Sequence, residues 1–248
     1  MSMKIISYNI RGLGGAAKKK QIQNLIRNHN PSFMCIQETK IESIEKRLRC
    51  MLWGSNDFGF ASNPSVGRSG EILTIWDKRE VDVQRIQNFE HMVWVEGECR
   101  TNSKKIHIVN IYAPCKGRRK RELWNSLSSK VIEKNGECIC VLGDFNAIRN
   151  EEERRGSTEH LRREEENDFD NFITGADLIY LPLCGRKFTW SRTGGTAMSR
   201  IDRFLILEEW CRSWPTCSQW ALDKELSDHR PILLCDATQK WGPKPFAC

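Results

Sequence analysis

The chain lacks any apolar run of the roughly 18 residues a membrane-spanning helix requires, and its opening Met-Ser-Met-Lys passes directly into Ile5, Ile6, Ser7 and Tyr8 without a hydrophobic leader core. The expectation is a protein neither secreted nor membrane-spanning, working inside the cell. No C-x-x-C pair occurs and no cysteine lies at zinc spacing from the five histidines, which excludes a zinc ribbon or finger. Internal repeats and low-complexity segments are also absent, so a repeat array is excluded. The eleven cysteines are an odd number, and Cys35, Cys138, Cys140 and Cys235 sit inside apolar strand-like runs. A reduced thiol there behaves as a small hydrophobe, and a reducing compartment is expected.

Hydrophobic residues make up 39% of the 248 residues, with nine Trp and ten Phe, enough for a large core and too apolar for a disordered chain. One domain is expected over residues 1–238, because no composition shift interrupts that span. Residues 239–248, with two Pro and one Gly among them, read as the start of a linker. Lys and Arg number 39 against 32 Asp and Glu, a formal charge of +7 that fits either a polyanionic partner or simple solubility.

The stretch Val141-Leu142-Gly143-Asp144-Phe145-Asn146 organises the reading. Residues 138–142 are five apolar residues between Gly136 and Gly143, a strand buried on both faces. Asp144 and Asn146 then stand at its carboxyl end, where open sheets place ligands; an ordinary turn is the competing interpretation. The same pattern recurs. Residues 4–10 form a strand ending at Asn9 and a glycine-rich loop, and residues 33–36 a strand ending at Glu38. Residues 105–112 form one ending at Tyr112, where Pro114 stops the ladder. Apolar stripes predict helices over 16–29, 41–52, the segment after the basic run 116–121, and 159–176. Strands over 70–76, 81–89, 91–99 and 105–111 read as an antiparallel run. Residues 187–190 and 201–206 read as a hairpin around the glycine-rich loop 191–198, and a last strand follows Ser227, Asp228 and His229.

Asn9, Glu38, Tyr112, Asp144, Asn146, Asp202, Asp228 and His229 thus offer carboxylates, two amides, a phenol and a titratable base, nearly all at strand ends. Such an oxygen-rich set suits Mg²⁺ or Mn²⁺ better than zinc. Singly, each also reads as a solvated strand end, an ion-pair partner or a loop histidine.

These residues lie in S-Y-N-I-R-G, I-Q-E-T-K, N-I-Y-A-P, L-G-D-F-N, T-W-S, S-R-I-D-R and S-D-H-R-P-I, in that order. The blocks, spanning residues 4 to about 237, resemble the endonuclease/exonuclease/phosphatase family. G-R-K-F-T-W-S and the terminal W-G-P-K-P-F look most like plant non-LTR (LINE-type) retrotransposon endonucleases, whose relatives continue into a reverse transcriptase. Glu71, where relatives tend to carry a small residue, is a departure.

The resemblance implies an α/β (α+β) fold: a four-layered α/β sandwich, two mixed β-sheets packed face to face and flanked by helices. It implies a Mg²⁺-dependent endonuclease, with Mn²⁺ as a substitute, that nicks duplex DNA by in-line attack of water. By the same resemblance Glu38 holds the metal with Asn9 and Asp228 near it. Asp144 activates the water and Asn146 positions it, His229 oriented by Asp202 stabilises the phosphoryl oxygens, and Tyr112 bonds the phosphate or departing oxygen. Arg11, Lys40, Arg118, Arg119, Thr189, Trp190, Arg192, Ser199 and Arg200 are the candidate DNA contacts. Lys18, Lys19 and Lys20, with the run 118–121, read as backbone contacts, nuclear import signals or solvated helix ends; a nuclear location is the expectation. A catalytically silent nucleic-acid-binding remnant and a phosphatase acting on a phosphorylated small molecule or lipid headgroup are the alternatives.

Overall fold

The computed structural model describes residues 3–41, 45–63, 72–156 and 163–236. Glu71 and the 239–248 tail lie outside them. Its strands are β1 (Lys4–Asn9), β2 (Phe33–Gln37), β3 (Phe58–Asn63), β4 (Ile72–Asp77), β5 (Val81–Phe89), β6 (Met92–Cys99), β7 (Lys104–Tyr112) and β8 (Cys138–Asp144). There follow β9 (Arg154–Arg155), β10 (Ile179–Tyr180), β11 (Leu183–Cys184), β12 (Trp190–Ser191), β13 (Met198–Ser199), β14 (Asp202–Ile206), β15 (Cys217–Ala221) and β16 (Ile232–Asp236). The helices are α1 (Ala16–His29), α2 (Lys46–Trp53), α3 (Gly117–Ile132), α4 (Arg163–Gly175) and α5 (Glu208–Ser213).

Two mixed sheets form, one of seven strands in the order β11-β15-β16-β1-β2-β4-β3, the other of six in the order β10-β14-β8-β7-β6-β5. Each contains a central parallel pair, β1 with β2 and β7 with β8. The alternation of side chains explains the layers. In β8, Cys138, Cys140 and Leu142 face the other sheet, packing with Ile5, Phe33, Cys35, Ile232 and Leu234. Ile139 and Val141 face outward under Leu123, Trp124 and Leu127 of α3 and Phe169, Phe172 and Ile173 of α4. In the seven-stranded sheet Ile6, Tyr8, Met34 and Ile36 meet Ile22 and Ile26 of α1 and Leu52 and Trp53 of α2. Three apolar interfaces therefore stack four layers, the expected sandwich. No helix among the described residues is long and apolar enough to cross a membrane.

Several local expectations are corrected. The antiparallel run splits: β5, β6 and β7 continue as a meander, while β4 pairs with β2 and β3 in the other sheet. Of the predicted helix over 41–52, the described helical part is α2 alone, with Glu45 extended as its N-cap. The expected hairpin is reduced to β12 and β13, because β14 leaves it to pair with β8. Together with β9 the hairpin forms a third, three-stranded sheet at the rim.

Candidate active site

Register brings the polar residues together. Asn9 pairs with Gln37 at the end of the β1–β2 ladder, and Tyr112 and Asp202 both pair with Asp144, from the two sides of β8. The carboxyl ends of the two parallel pairs thus form one rim. The sheets are bridged there by Asn9 Nδ2, which donates to Asp144 Oδ2 at 2.8 Å. Four residues of this rim, Arg11, Glu38, Lys40 and Asn146, have φ between 47° and 55°. Left-handed backbone at non-glycine residues costs about 1–3 kcal/mol each, and such strain concentrates at functional sites.

Asp144, Asp202 and His229 are buried. Both carboxylate oxygens of Asp202 lie 3.0–3.1 Å from His229 Nδ1, and His229 Nε2 lies 3.9 Å from Asp144 Oδ2. Asp144 also accepts the Asn146 backbone N–H at 2.9 Å. Burial, then the neighbouring Asp202 charge, pushes the Asp144 carboxyl up to about 7, against the opposing pull of His229 and its hydrogen bonds. Burial alone would lower His229, but Asp202, then Asp144, outweighs it and raises the imidazole to about 9. Tyr112 faces Glu38, and burial followed by the Glu38 and Asp144 charges raises its phenol far above the usual range.

Asn146 is fixed by its own Nδ2 donating to Ala113 O at 2.8 Å and by Lys120 Nζ donating to Asn146 O at 2.6 Å. Lys120 is itself buried and ion-paired to Glu165 at 2.7 Å. Beside it lies a cavity of about 190 Å³ lined by Cys115, Asn146, Arg154 and Glu166 among others. None of the readings given for the run 118–121, backbone contact, import signal or solvated helix end, fits this buried lysine; its one signal in the sequence is a position in line with the apolar stripe of α3. Sequence reading missed Ser227. Its hydroxyl donates to Asn9 O at 2.8 Å and accepts the His229 N–H at 3.2 Å, an arrangement that the S-x-H spacing allows.

The other expected residues sit at defined places. Asp228 Oδ2 accepts the Trp190 indole N–H at 2.9 Å and is ion-paired to Arg11, while Glu38 pairs with Lys40 at 2.8 Å. Thr189 is buried, its hydroxyl accepting the backbone N–H of Asp202 at 3.0 Å; Ser199 is buried within β13. Arg200 turns inward, its guanidinium 4.4 Å from the Tyr180 ring and bonded to Leu181 O. Arg192 is exposed at the hairpin, and Arg118 and Arg119 lie on α3, paired to Glu122 and Glu90. Trp190, Arg192, Arg11, Lys40, Arg118 and Arg119 therefore face outward or the rim; Thr189, Ser199 and Arg200 brace it from within.

Among the described residues, Asp144, Asp202 and His229 form a group with ligand atoms within 4.8 Å of one another, able to hold a metal ion. The set expected for a metal, Glu38, Asn9 and Asp228, is a different one. Asp202 already engages His229 Nδ1, which suits that group to proton handling. Asp228 Oδ1 is buried and has no hydrogen-bond partner among the described residues. A buried carboxylate oxygen left without a partner among the described residues fits a hard divalent cation.

Fold and site together define a two-sheet sandwich with a buried Asp202–His229 pair facing Asp144 at the shared rim of the sheets. The chain belongs to the Endonuclease/Exonuclease/phosphatase family, whose model matches residues 6–229, and so to a family of phosphoester hydrolases. It is 23% identical over 261 residues to an exodeoxyribonuclease of Bacillus subtilis (strain 168), covering 94% of this chain and 98% of the relative. Its fold matches the AP endonuclease LMAP of Leishmania major with a TM-score of 0.76 at 15% identity, over 95% of this chain and 87% of that one. It also matches the endonuclease domain of TRAS1, a telomere-specific non-LTR retrotransposon, with a TM-score of 0.70 at 17% identity, over 97% and 100% of the two chains.

Proposed function

We propose that this chain is a divalent-metal-dependent phosphodiesterase that nicks duplex DNA, as in target-site cleavage by a retrotransposon endonuclease. The observation that carries it is the buried Asp202–His229 pair facing Asp144, with an imidazole raised to about 9 beside a carboxyl raised to about 7. A base is most useful when its pKa lies near the working pH, which suits Asp144 to take the proton of the attacking water. Asn146, locked by Ala113 O and Lys120, positions that water and the phosphate. His229, charged at neutral pH and held at Nδ1 by Asp202, presents Nε2 to the phosphoryl oxygens as negative charge builds there. Tyr112 hydrogen-bonds the phosphate or the departing oxygen.

Glu38, Asn9 and Asp228 would hold Mg²⁺, with Mn²⁺ a substitute, which supplies charge neutralisation at the phosphate when bound. The exodeoxyribonuclease relative, the AP endonuclease fold and the TRAS1 domain support a DNA substrate. So does the net charge of +7. Arg192 at the hairpin tip and Arg118 and Arg119 on α3 are the outward-facing cations for its backbone. A nuclear location fits that substrate.

The test is product analysis with one enzyme preparation. A labelled duplex and a phosphomonoester are offered in Mg²⁺; internal strand breaks without release of inorganic phosphate are expected. Phosphate release with the duplex intact would replace this reading by a phosphatase, and binding without turnover by a silent remnant.

A further inference from the structure

The two carboxylates assigned above to the metal each already hold a cation of the protein's own. Arg11 Nη1 pairs with Asp228 Oδ2, and Lys40 Nζ with Glu38 Oε1 at 2.8 Å. The pairs are lopsided: the Arg11 and Lys40 side chains are 55% and 56% exposed, the Asp228 and Glu38 side chains 14% and 15%. The cations can leave for solvent or a ligand. The carboxylates cannot follow. Asp228 keeps the Trp190 indole bond when Arg11 departs, and its Oδ1 is the buried oxygen without a partner among the described residues.

The backbone beneath both cations is fixed. Gly12 N–H donates to Glu38 O at 2.6 Å and Leu13 N–H to Thr39 O at 2.7 Å, zipping the two rim loops together. Lys18 Nζ spans Ile10 O and Arg11 O at 2.8 Å each. Arg11 and Lys40 thus swing from rigid anchors, both in left-handed backbone. Arg11, Lys18 and Lys40 share this corner with Glu38 and Asp228, so both carboxylates are already neutralised before any metal arrives. A divalent ion adds two positive charges, an arrangement that Coulomb repulsion opposes until an anion enters.

We propose that Arg11 and Lys40 are exchangeable counterions. Without metal they neutralise Asp228 and Glu38; when a divalent ion takes those carboxylates, both side chains pass to the phosphates flanking the scissile bond. Metal and DNA therefore bind cooperatively, and by linkage each raises the affinity for the other equally. This rests on the metal and DNA assignments above and adds a coupling between them.

The full chain is compared with an Arg11→Gln/Lys40→Gln double variant and a charge-preserving Arg11→Lys/Lys40→Arg variant, after matching melting curves. Mn²⁺ alone is titrated calorimetrically without DNA, and a labelled duplex is titrated by anisotropy in EDTA and in Ca²⁺. Each cation removed should tighten Mn²⁺ binding on the order of fivefold, since a neighbouring unit charge is only partly screened. The gain in duplex affinity on adding Ca²⁺ should be several-fold in the parent and in the charge-preserving variant, and clearly smaller in the double Gln variant, where only the metal's own attraction for the phosphate remains. Parental Mn²⁺ binding with no tightening in that variant, or an unchanged Ca²⁺ gain, would overturn the exchange and leave the metal site standing. A parent that takes up no Mn²⁺ would overturn both.

Discussion

Replacing Asp144 by Asn is expected to abolish cleavage and yet make the folded chain more stable. A carboxyl whose folded value is about 7 against 3.8 for the ordinary one holds its proton more tightly in the native state. Below pH about 4 it is protonated in both states and costs nothing. Between about 4 and 7 the native state loses stability with rising pH, about 1.4 kcal/mol per unit, or about 4 kcal/mol in all above pH 7. Asn resembles the protonated form and escapes that loss. Two terms oppose it: His229 loses one of the anions that raise it, and the new amide nitrogen faces Asn9 Nδ2, a donor that cannot flip without giving up the Arg11 N–H it accepts through Oδ1 at 3.0 Å. Taking about 1 kcal/mol for the lost bond and a similar amount for the histidine leaves a gain on the order of 2 kcal/mol. For a domain of this size that raises the melting temperature by about 5 °C. Calorimetric melts of parent and variant in EDTA at pH 4, 6 and 8 check it. The variant should melt at or below the parent at pH 4, where only the lost bond counts, and above it by pH 8. A variant less stable than the parent at pH 8, or a difference independent of pH, would refute the reasoning.

Other expectations follow from single contacts. Asp202→Asn removes the charge that chiefly raises His229, so the alkaline limb of the pH–rate profile, near 9 in the parent, should move downward, with the rate falling roughly 100-fold or more; an unmoved limb in a stopped-time assay would discount the pair. Gly143 has a φ of 133°, and a Cβ there would stand 2.0 Å from Ile111 O, so Gly143→Ala should lose on the order of 3 kcal/mol by urea titration. Replacing residues 193–197 by a neutral linker of equal length, with Arg192→Ala, should redistribute nick positions in sequenced plasmid while hydrolysis persists, since the hairpin lies outside both large sheets.

The central strands and the rim were legible in the sequence because β8 is apolar on both faces and each strand ends in a polar residue of a distinct motif. Helix α1 was legible through Ile22 and Ile26 on one face. The strands β3 and β15 were not. β3 reads Phe-Gly-Phe-Ala-Ser-Asn, and Gly59 there is no turn signal: a Cβ would stand 2.1 Å from the Trp76 ring, so it is the tryptophan that requires glycine. β15 reads Cys-Ser-Gln-Trp-Ala, with a polar residue at its buried centre; Gln219 is accommodated there because its Oε1 accepts the Phe204 N–H across the sandwich at 2.6 Å. Two-residue strands such as β9 carry no periodicity at all. Arg203 follows Asp202 and is fully buried, which no pattern suggests; it is paired with Glu153 at 3.1 Å and bonds Ala147 O, bracing the loop that carries Asn146.

The central claim is metal-dependent hydrolysis of a phosphodiester through Asp144. Supercoiled plasmid is incubated with the purified full chain in Mg²⁺ or in EDTA, alongside Asp144→Asn at equal concentration. Conversion to the open circular form by the parent in Mg²⁺ only, and none by the variant while its melting temperature stands at or above the parental one, is the expected result. Relaxation that continues in EDTA, or that Asp144→Asn performs at the parental rate, would contradict it.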